Sequence, residues 1–352
     1  MSDALSTIVR EAAPWSPQGE AAEALTRLGL PTRRNEAWKY SDLRAALADG
    51  ALLDGVALAD GHVRALEPDA ARFDDQRNII GLLAVAMNAN IEDTWAVGSA
   101  TRGAGGTVSE VETRGKAVII ERLNAEGRVG AHMLKARVRE GAELTRVVLQ
   151  NGDGVALSAA EVAVEAGGVF RQFVVAEGAK LARIETHVIV EGERGEVTLN
   201  GAYLAGAGRH ADITSTIEHK APGGVTRQLT KGVARKGGRG VFQGKIVVER
   251  AAQKTDARQH HQGLLLEDGA EIFAKPELMI HADDVQCAHG NTAGGLDERA
   301  LFYMRSRGIP EAEARALLIE AFLTETIPAE LPEALREEVT GLIRSWLAGA
   351  RS

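Results

Sequence analysis

Two residues with the chemistry of soft metal ligands stand two apart near the end of the sequence. Cys287 is the only cysteine in 352 residues, and His289 follows it in the run DDVQCAHGNTAGG. If Asp284 to His289 forms a strand, the two side chains share one face, about 6.6 Å apart along it, because a strand alternates faces and rises ~3.3 Å per residue. A thiol and an imidazole so placed suit a transition metal. The pattern equally describes a buried thiol beside a hydrogen-bonded histidine, since free cysteine is among the most buried residue types. His281 and Asp283 have the same odd parity. A continuous strand would put them on that face too, with Asp283 a candidate to orient the His289 ring. A Cys–His hydrolase, with Cys287 as nucleophile and His289 or His281 as base, is disfavoured. Residues two apart on one strand do not come within the ~3 Å that this chemistry needs. His260 and His261 are adjacent, face opposite ways on a strand, and cannot serve one site without a bulge.

No stretch fits G-x-x-x-x-G-K-[ST]. Gly240 to Lys245 (GVFQGK) has the wrong spacing and Ile246 after the lysine, so the chain is expected neither to bind a nucleotide nor to hydrolyse ATP. Gly206 to Ala211 (GAGRHA) lacks the third glycine of a dinucleotide fingerprint and reads as a strand turn. No Ser or Cys sits in a nucleophile elbow. Lys231, Arg235, Lys236 and Arg239 surround Gly237 and Gly238, a pattern that suits a solvated turn better than a site for RNA or an acidic partner. The net charge of −8 also argues against a nucleic-acid partner. With 45% apolar and 26% charged residues, the composition is that of a soluble globular chain. One cysteine excludes an internal disulfide and a cysteine-rich zinc site, and it suits a reducing cytoplasm. The first residues, MSDALSTIVREAAPW, lack a signal-peptide core, and no run of ~18 apolar residues occurs. The expectation is a cytoplasmic protein with no membrane partner.

The elements that would position Cys287 and His289 change character along the chain. Ser16 and Pro17 start a helix whose stripe of Ala21, Leu25 and Leu28 stops at Gly29. Residues 36–47 form a second helical candidate, with Trp38, Leu43 and Leu47 able to bury; Trp38 and Tyr40 suit a core better than a ligand-stacking platform. Residues 49–72 read as a linker with short strands. Residues 78–87 are apolar almost throughout, and periodicity alone does not decide between helix and strand. From about Thr107, short Val/Ile/Leu runs alternate with glycine turns (EGAEL, EAGGV, EGAKL, EDGAEI), a loose repeat without a fixed period. Such spacing commonly means a sandwich or barrel. The 4% aromatic content favours a thinner core, as in a stacked solenoid of roughly eight coils of twenty-odd residues each. A solenoid leaves strand edges that must be covered or paired. Three amphipathic helices follow: Leu296 to Arg307, one begun by Pro310 with a stripe from Ala314 to Phe322, and one from about Pro332 to Trp346.

Four blocks in order carry a resemblance: RRNEAWKYSDLR (Arg33 to Arg44), GRGVFQGKIVVERAAQKTDARQ (Gly238 to Gln259), QGLLLEDGAEIFAKPELMIHADDVQCAHG (Gln262 to Gly290) and LDERALFYMRSRGI (Leu296 to Ile309). Together they resemble the SufB/SufD family of iron–sulfur cluster assembly proteins. The Cys-Ala-His-Gly run is similar to its SufD branch, where SufB chains more often show Glu-His-Glu-Ala. The resemblance implies a mainly β fold, a right-handed parallel β-helix core flanked by N-terminal and C-terminal helical segments. The parts would be an N-terminal helical or mixed domain (1–92), the β-helix (93–295) and a C-terminal helical domain (296–352). It implies a non-catalytic scaffold that pairs with SufB as a heterodimer, or with itself when alone, and that docks a separate SufC ATPase. The cofactor would be an iron–sulfur cluster, transient and shared with SufB. His289, and less firmly Cys287, would ligate it. One thiolate and one imidazole are too few alone, since four ligands are the norm. Leu278, Met279, Ile280, His281 and Val285 would face SufB. Phe302, Tyr303, Arg305, Arg307, Leu318 and Phe322 would meet SufC. A SufB-like role is disfavoured because SufB proteins use further cysteines that this chain lacks. The alternative is a structural or interaction solenoid in which Cys287 is core.

Overall fold

The computed structural model describes residues 4–11, 17–53, 79–87, 90–93 and 98–349. Among these residues sixteen strands, from β1 (Asn90–Asp93) to β16 (Gln286–Gly294), wind as a parallel β-solenoid. Odd-numbered strands stack in chain order into one eight-stranded sheet and even-numbered strands into a second, all neighbours parallel. One strand of each sheet makes a coil. Val129 stacks on Val155, 26 residues on, whereas Arg239 stacks on Glu271, 32 residues on. The first coils keep to the expected twenty-odd residues, and the last reach thirty or more as their corners lengthen along the chain. The glycine turns of the sequence are these corners. Gly208, Gly237 and Gly269 take φ of 70°, 73° and 85°, the left-handed region that a Cβ disfavours. They also stack: Gly208 donates to the Gly237 carbonyl and Gly237 to that of Gly269, each at 3.0 Å.

In-register parallel strands put partners on the same face, about 4.8 Å apart, so columns of side chains fill the bore between the sheets. One column is mostly apolar: Val138, Val164, Val190, His219, Val248 and Ile280. On the other sheet runs a polar column of Arg146, Gln172, Leu199, Gln228, Gln259 and His289. Its members pair inside the bore. Arg146 donates to Glu121 at 2.7 Å and to Ser158 at 2.8 Å, Gln172 to Thr186 at 2.9 Å, and Gln228 to Ser215 at 2.8 Å. Burial pushes the Glu121 carboxyl up, but the Arg146 and Arg102 guanidiniums outweigh it and hold it below the usual carboxylate range. A buried ion pair is tolerable here because its remaining donors are also satisfied.

Helices lie along both walls. On the odd-numbered sheet, α1 (Ala4–Glu11), α2 (Pro17–Leu28) and α4 (Ile79–Ala86) build a core with Met133, Val155 and Leu157. The apolar run before Met87 is therefore a helix. Gly106 makes its close approach possible, since a Cβ there would sit 2.2 Å from the Ala84 carbonyl oxygen. The span 36–47 is not one helix. It breaks into a 3-10 turn (Glu36–Trp38) and a single α turn, α3 (Leu43–Ala46), capped by the Asp42 side chain. The break follows from the wall beneath. Buried Ser41 donates to Asp212, Asp212 pairs with Arg183 at 2.8 Å, and the Arg183 guanidinium lies 4.0 Å from the Trp38 ring centre. Trp38 is core, as its surroundings require. Of residues 49–72, Gly50–Leu53 is a 3-10 turn, and 54–72 lie outside the described residues.

The other wall carries α6 (Glu311–Thr324) and α7 (Glu333–Leu347), reached through α5 (Glu298–Ser306). Ile319, Leu323, Val339, Ile343 and Trp346 pack against Phe173, Leu204 and Val233 of the even-numbered sheet. Buried Lys231 pairs with Glu325 at 2.5 Å, and Arg235 lies 4.3 Å from the Trp346 ring centre. Two of the four basic residues around Gly237 are thus helix clamps, and a third, Arg239, pairs with Glu271 at 2.5 Å.

Candidate functional site

Among the described residues, strand β16 is the last rung of its sheet and is hydrogen-bonded to only one neighbouring strand, β14 (Asp256–Leu265). In the other sheet, β15 (Glu271–Ile280) pairs, among the described residues, only with β13 (Arg239–Val248). The solenoid therefore ends in two open strand edges. Cys287 stacks on Ala257, His289 on Gln259 and Asn291 on His261. All three partners below are buried. Cys287 and His289 share the bore face, and Asn291 joins them there.

His281 and Asp283 do not. Strand β15 ends at Ile280 and β16 begins at Gln286, so residues 281–285 form a corner between sheets instead of a continuous strand. The corner is pinned by Lys254, whose N–H donates to the Asp284 carbonyl at 2.6 Å and whose ammonium pairs with the Asp284 carboxylate. Parity does not carry through a corner. Asp283 sits exposed in that corner, off the His289 face. Beneath His289 lies Gln259.

Three residues at this mouth have no local signature in the sequence. Tyr203 donates to His261 Nε2 at 2.9 Å, and His261 Nδ1 donates to Asn291 Oδ1 at 2.7 Å. The His261 ring lies nearly parallel to both neighbouring rings, with centroids 4.9 Å from Phe242 and 5.9 Å from Tyr203. Burial holds His261 down to about 4, so the ring is neutral and both nitrogens are used. The signal that would have found these residues is stacking: 261 and 291 are one coil apart, as are 259 and 289.

Cys287 is half-buried against the apolar column, and burial pushes its thiol up. His289 is exposed. Among the described residues no three His, Cys, Asp or Glu side chains converge as a metal site. Around the rung, Leu278 and Val285 are half-buried against the same core, His281 is exposed, and Met279 and Ile280 are 43% and 42% exposed. On the C-terminal helices Phe302 and Tyr303 are 72% and 59% exposed. Arg307 stacks on Tyr303 and Arg305 pairs with Glu311. Leu318 is half-buried, and Phe322 lies half-buried under the Lys231 ammonium. Leu317, on α6, is exposed and was not among the expected docking residues.

Residues 98–322 match the family described as "SUF system FeS cluster assembly, SufBD core domain". The chain belongs to the SufBD family. It is 36% identical to the iron–sulfur cluster assembly protein SufD of Escherichia coli K12 over 172 residues, 49% of this chain and 41% of that protein. A SufBD family protein of Synechocystis is 36% identical over 190 residues, 53% of this chain and 42% of the relative. One of Mycobacterium tuberculosis is 30% identical over 247 residues, 67% of this chain and 62% of the relative. The chain spans about half the length of the curated relatives it matches. The SufBD match covers both columns of the bore, the open rung and most of α6. No helix among the described residues is long and apolar enough to cross a membrane.

Proposed function

We propose that this SufBD chain is a cytoplasmic, non-catalytic scaffold subunit that builds a nascent iron–sulfur cluster jointly with a SufB-type partner. The observation that carries the reading is the last rung. It offers two unpaired strand edges for sheet continuation, and on its bore face it presents His289 beside Cys287. Pairing edge to edge would bring a second set of ligands to this mouth and supply the four-ligand norm that one imidazole and one thiol do not meet. The cluster is cargo, so weak, divided ligation suits release. His289 is the stronger ligand because it is exposed; Cys287 must lose a proton that its surroundings retain. A separate SufC-type ATPase would dock on the exposed face of α5 and α6, around Phe302, Tyr303, Arg305 and Arg307, and drive opening of the shared interface.

The test is His289→Ala and, separately, Cys287→Ser in the complex assembled with the partners, with iron and acid-labile sulfide measured anaerobically. The expected result is a severalfold loss for the histidine variant and a smaller one for the cysteine variant, both with complex formation intact. Equal loading of both variants and parent would favour the second reading, a structural solenoid in which Cys287 is core. Its half-buried place against the apolar column is the observation on that side.

A further inference from the structure

The polar column ends in an unmet demand. Gln259 is fully buried, and its Nε2 donates to Gln228 Oε1 at 2.8 Å, while Gln228 Nε2 donates to Ser215 at 2.8 Å. With the Ser215 hydroxyl accepting, these two bonds set the sense of both amides. They leave Gln259 Oε1 buried and accepting no hydrogen bond. A buried carbonyl without a donor is costly, about 1–3 kcal/mol. Its room to turn is small, because the amide lies against the Gly244 backbone, where a Cβ would sit 1.9 Å from Gln259 Nε2. The next side chain up the column, one rung away on the same face, is His289.

We propose that Gln259 is the positioning residue for His289: its Oε1 accepts a hydrogen bond from one ring nitrogen, so that the other keeps its lone pair and faces out of the bore mouth. The bond does two things. It satisfies the buried carbonyl, and it selects between the two neutral tautomers of the ring. An imidazole binds a metal only through an unprotonated nitrogen, and the acceptor on its other N–H decides which nitrogen that is. The orientation is inherited from below, since Gln259 is held by Gln228 and Gln228 by Ser215. Asp283, expected from the sequence to orient His289, lies in the corner off this face. The inference rests on the proposed role of His289 as a ligand, but its primary test does not use the cluster.

The experiment uses the full chain, 15N-labelled at histidine, at mildly alkaline pH where an imidazole is neutral. Long-range 1H–15N correlation spectra read the tautomer of each ring, and His289 is assigned by the signal lost in His289→Ala. In the parent, one His289 tautomer should exceed the other by about tenfold, the bias an ordinary hydrogen bond imposes. Gln259→Met keeps the volume, removes the acceptor, and should bring the two tautomers within a fewfold of each other. Gln259→Glu keeps an acceptor and should retain the parent's tautomer; it guards against a folding defect in the methionine variant, which circular dichroism monitors. The His261 signal serves as an internal control and should not move. If Gln259→Met leaves the His289 tautomer ratio at the parent value, the inference is overturned, whatever the cluster content. A parental ratio that collapses in Gln259→Met supports it even if His289→Ala still loads clusters, and that second result would count against the scaffold reading alone.

Discussion

At the scale of single residues, the bore is specified by what small residues leave open. The Tyr203 ring lies across the space between the sheets because Gly232 and Gly240 have no side chain. A Cβ at either would meet that ring at 1.9 or 2.1 Å. Tyr203 in turn holds His261, and His261 holds Asn291 on the open rung. Gly232→Ala should therefore cost about 3 kcal/mol in denaturant unfolding, the upper range for overpacking a close-packed core. Tyr203→Phe, which keeps the ring and removes only the donor to His261, should cost about 1 kcal/mol. A Gly232→Ala variant as stable as the parent would mean that the ring relocates. The sequence shows Cys287 and His289 on one face because alternation within a strand is local. It hides Gln259 beneath His289, because that neighbour is 30 residues away and stacked by coil length.

At the scale of elements, strands, corner glycines and C-terminal helices were legible from periodicity and from turn residues with left-handed φ. Three features were not. The lengthening of the last coils escaped because corners vary, and nothing local counts the residues in a corner. The span 36–47 has a helical stripe but is pulled apart by Ser41 and Trp38, which answer to Asp212 and Arg183 of a distant wall. Asp283 lost its parity at the corner before β16. Two substitutions probe the proposed interfaces. Met279 faces away from the bore and is 43% exposed, whereas Ile280 stacks on Val248 in the apolar column. Met279→Lys should thus weaken association with a SufB-type partner at least about tenfold, with the monomer's circular dichroism unchanged, because a charge set at the rim of a sheet edge opposes strand addition. Removing everything from Leu296 onward would instead strip the wall formed by Ile319, Leu323, Val339 and Trp346. Phe302→Asp is the cleaner probe of ATPase docking. It should abolish capture of a SufC-type subunit while leaving the melting temperature within a few degrees of the parent.

At the scale of the whole molecule, acid should loosen the solenoid in a defined window. Buried His132, His219 and His261 are each held down to about 4 by desolvation, against an ordinary value of 6.5. The unfolded chain takes up these protons as pH falls below about 6.5, and the folded chain does not until about 4. Their stabilisation is therefore complete above 6.5 and is lost on descending through that interval, each group contributing about 1.4 kcal/mol per pH unit. Denaturant midpoints measured between neutral pH and about pH 4.5 should fall steeply, and His261→Gln should flatten the slope. Carboxylates held low by guanidiniums, such as Glu112 at about 2, add to the loss only below the ordinary carboxylate range. The arrangement of rungs has a mechanical consequence as well. Every ladder hydrogen bond runs along the solenoid axis, so an axial pull is shared in parallel by all the bonds of a rung, and the rod is stiff. A pull that lifts one end of the last strand loads its bonds one after another, like a zip. The C-terminal helices are clamped at Lys231 on β12 (Val225–Ala234) and at Arg235 just after it, two rungs or about 10 Å below that end. Force delivered to them reaches the open rung over a short lever, with almost no slack to take up.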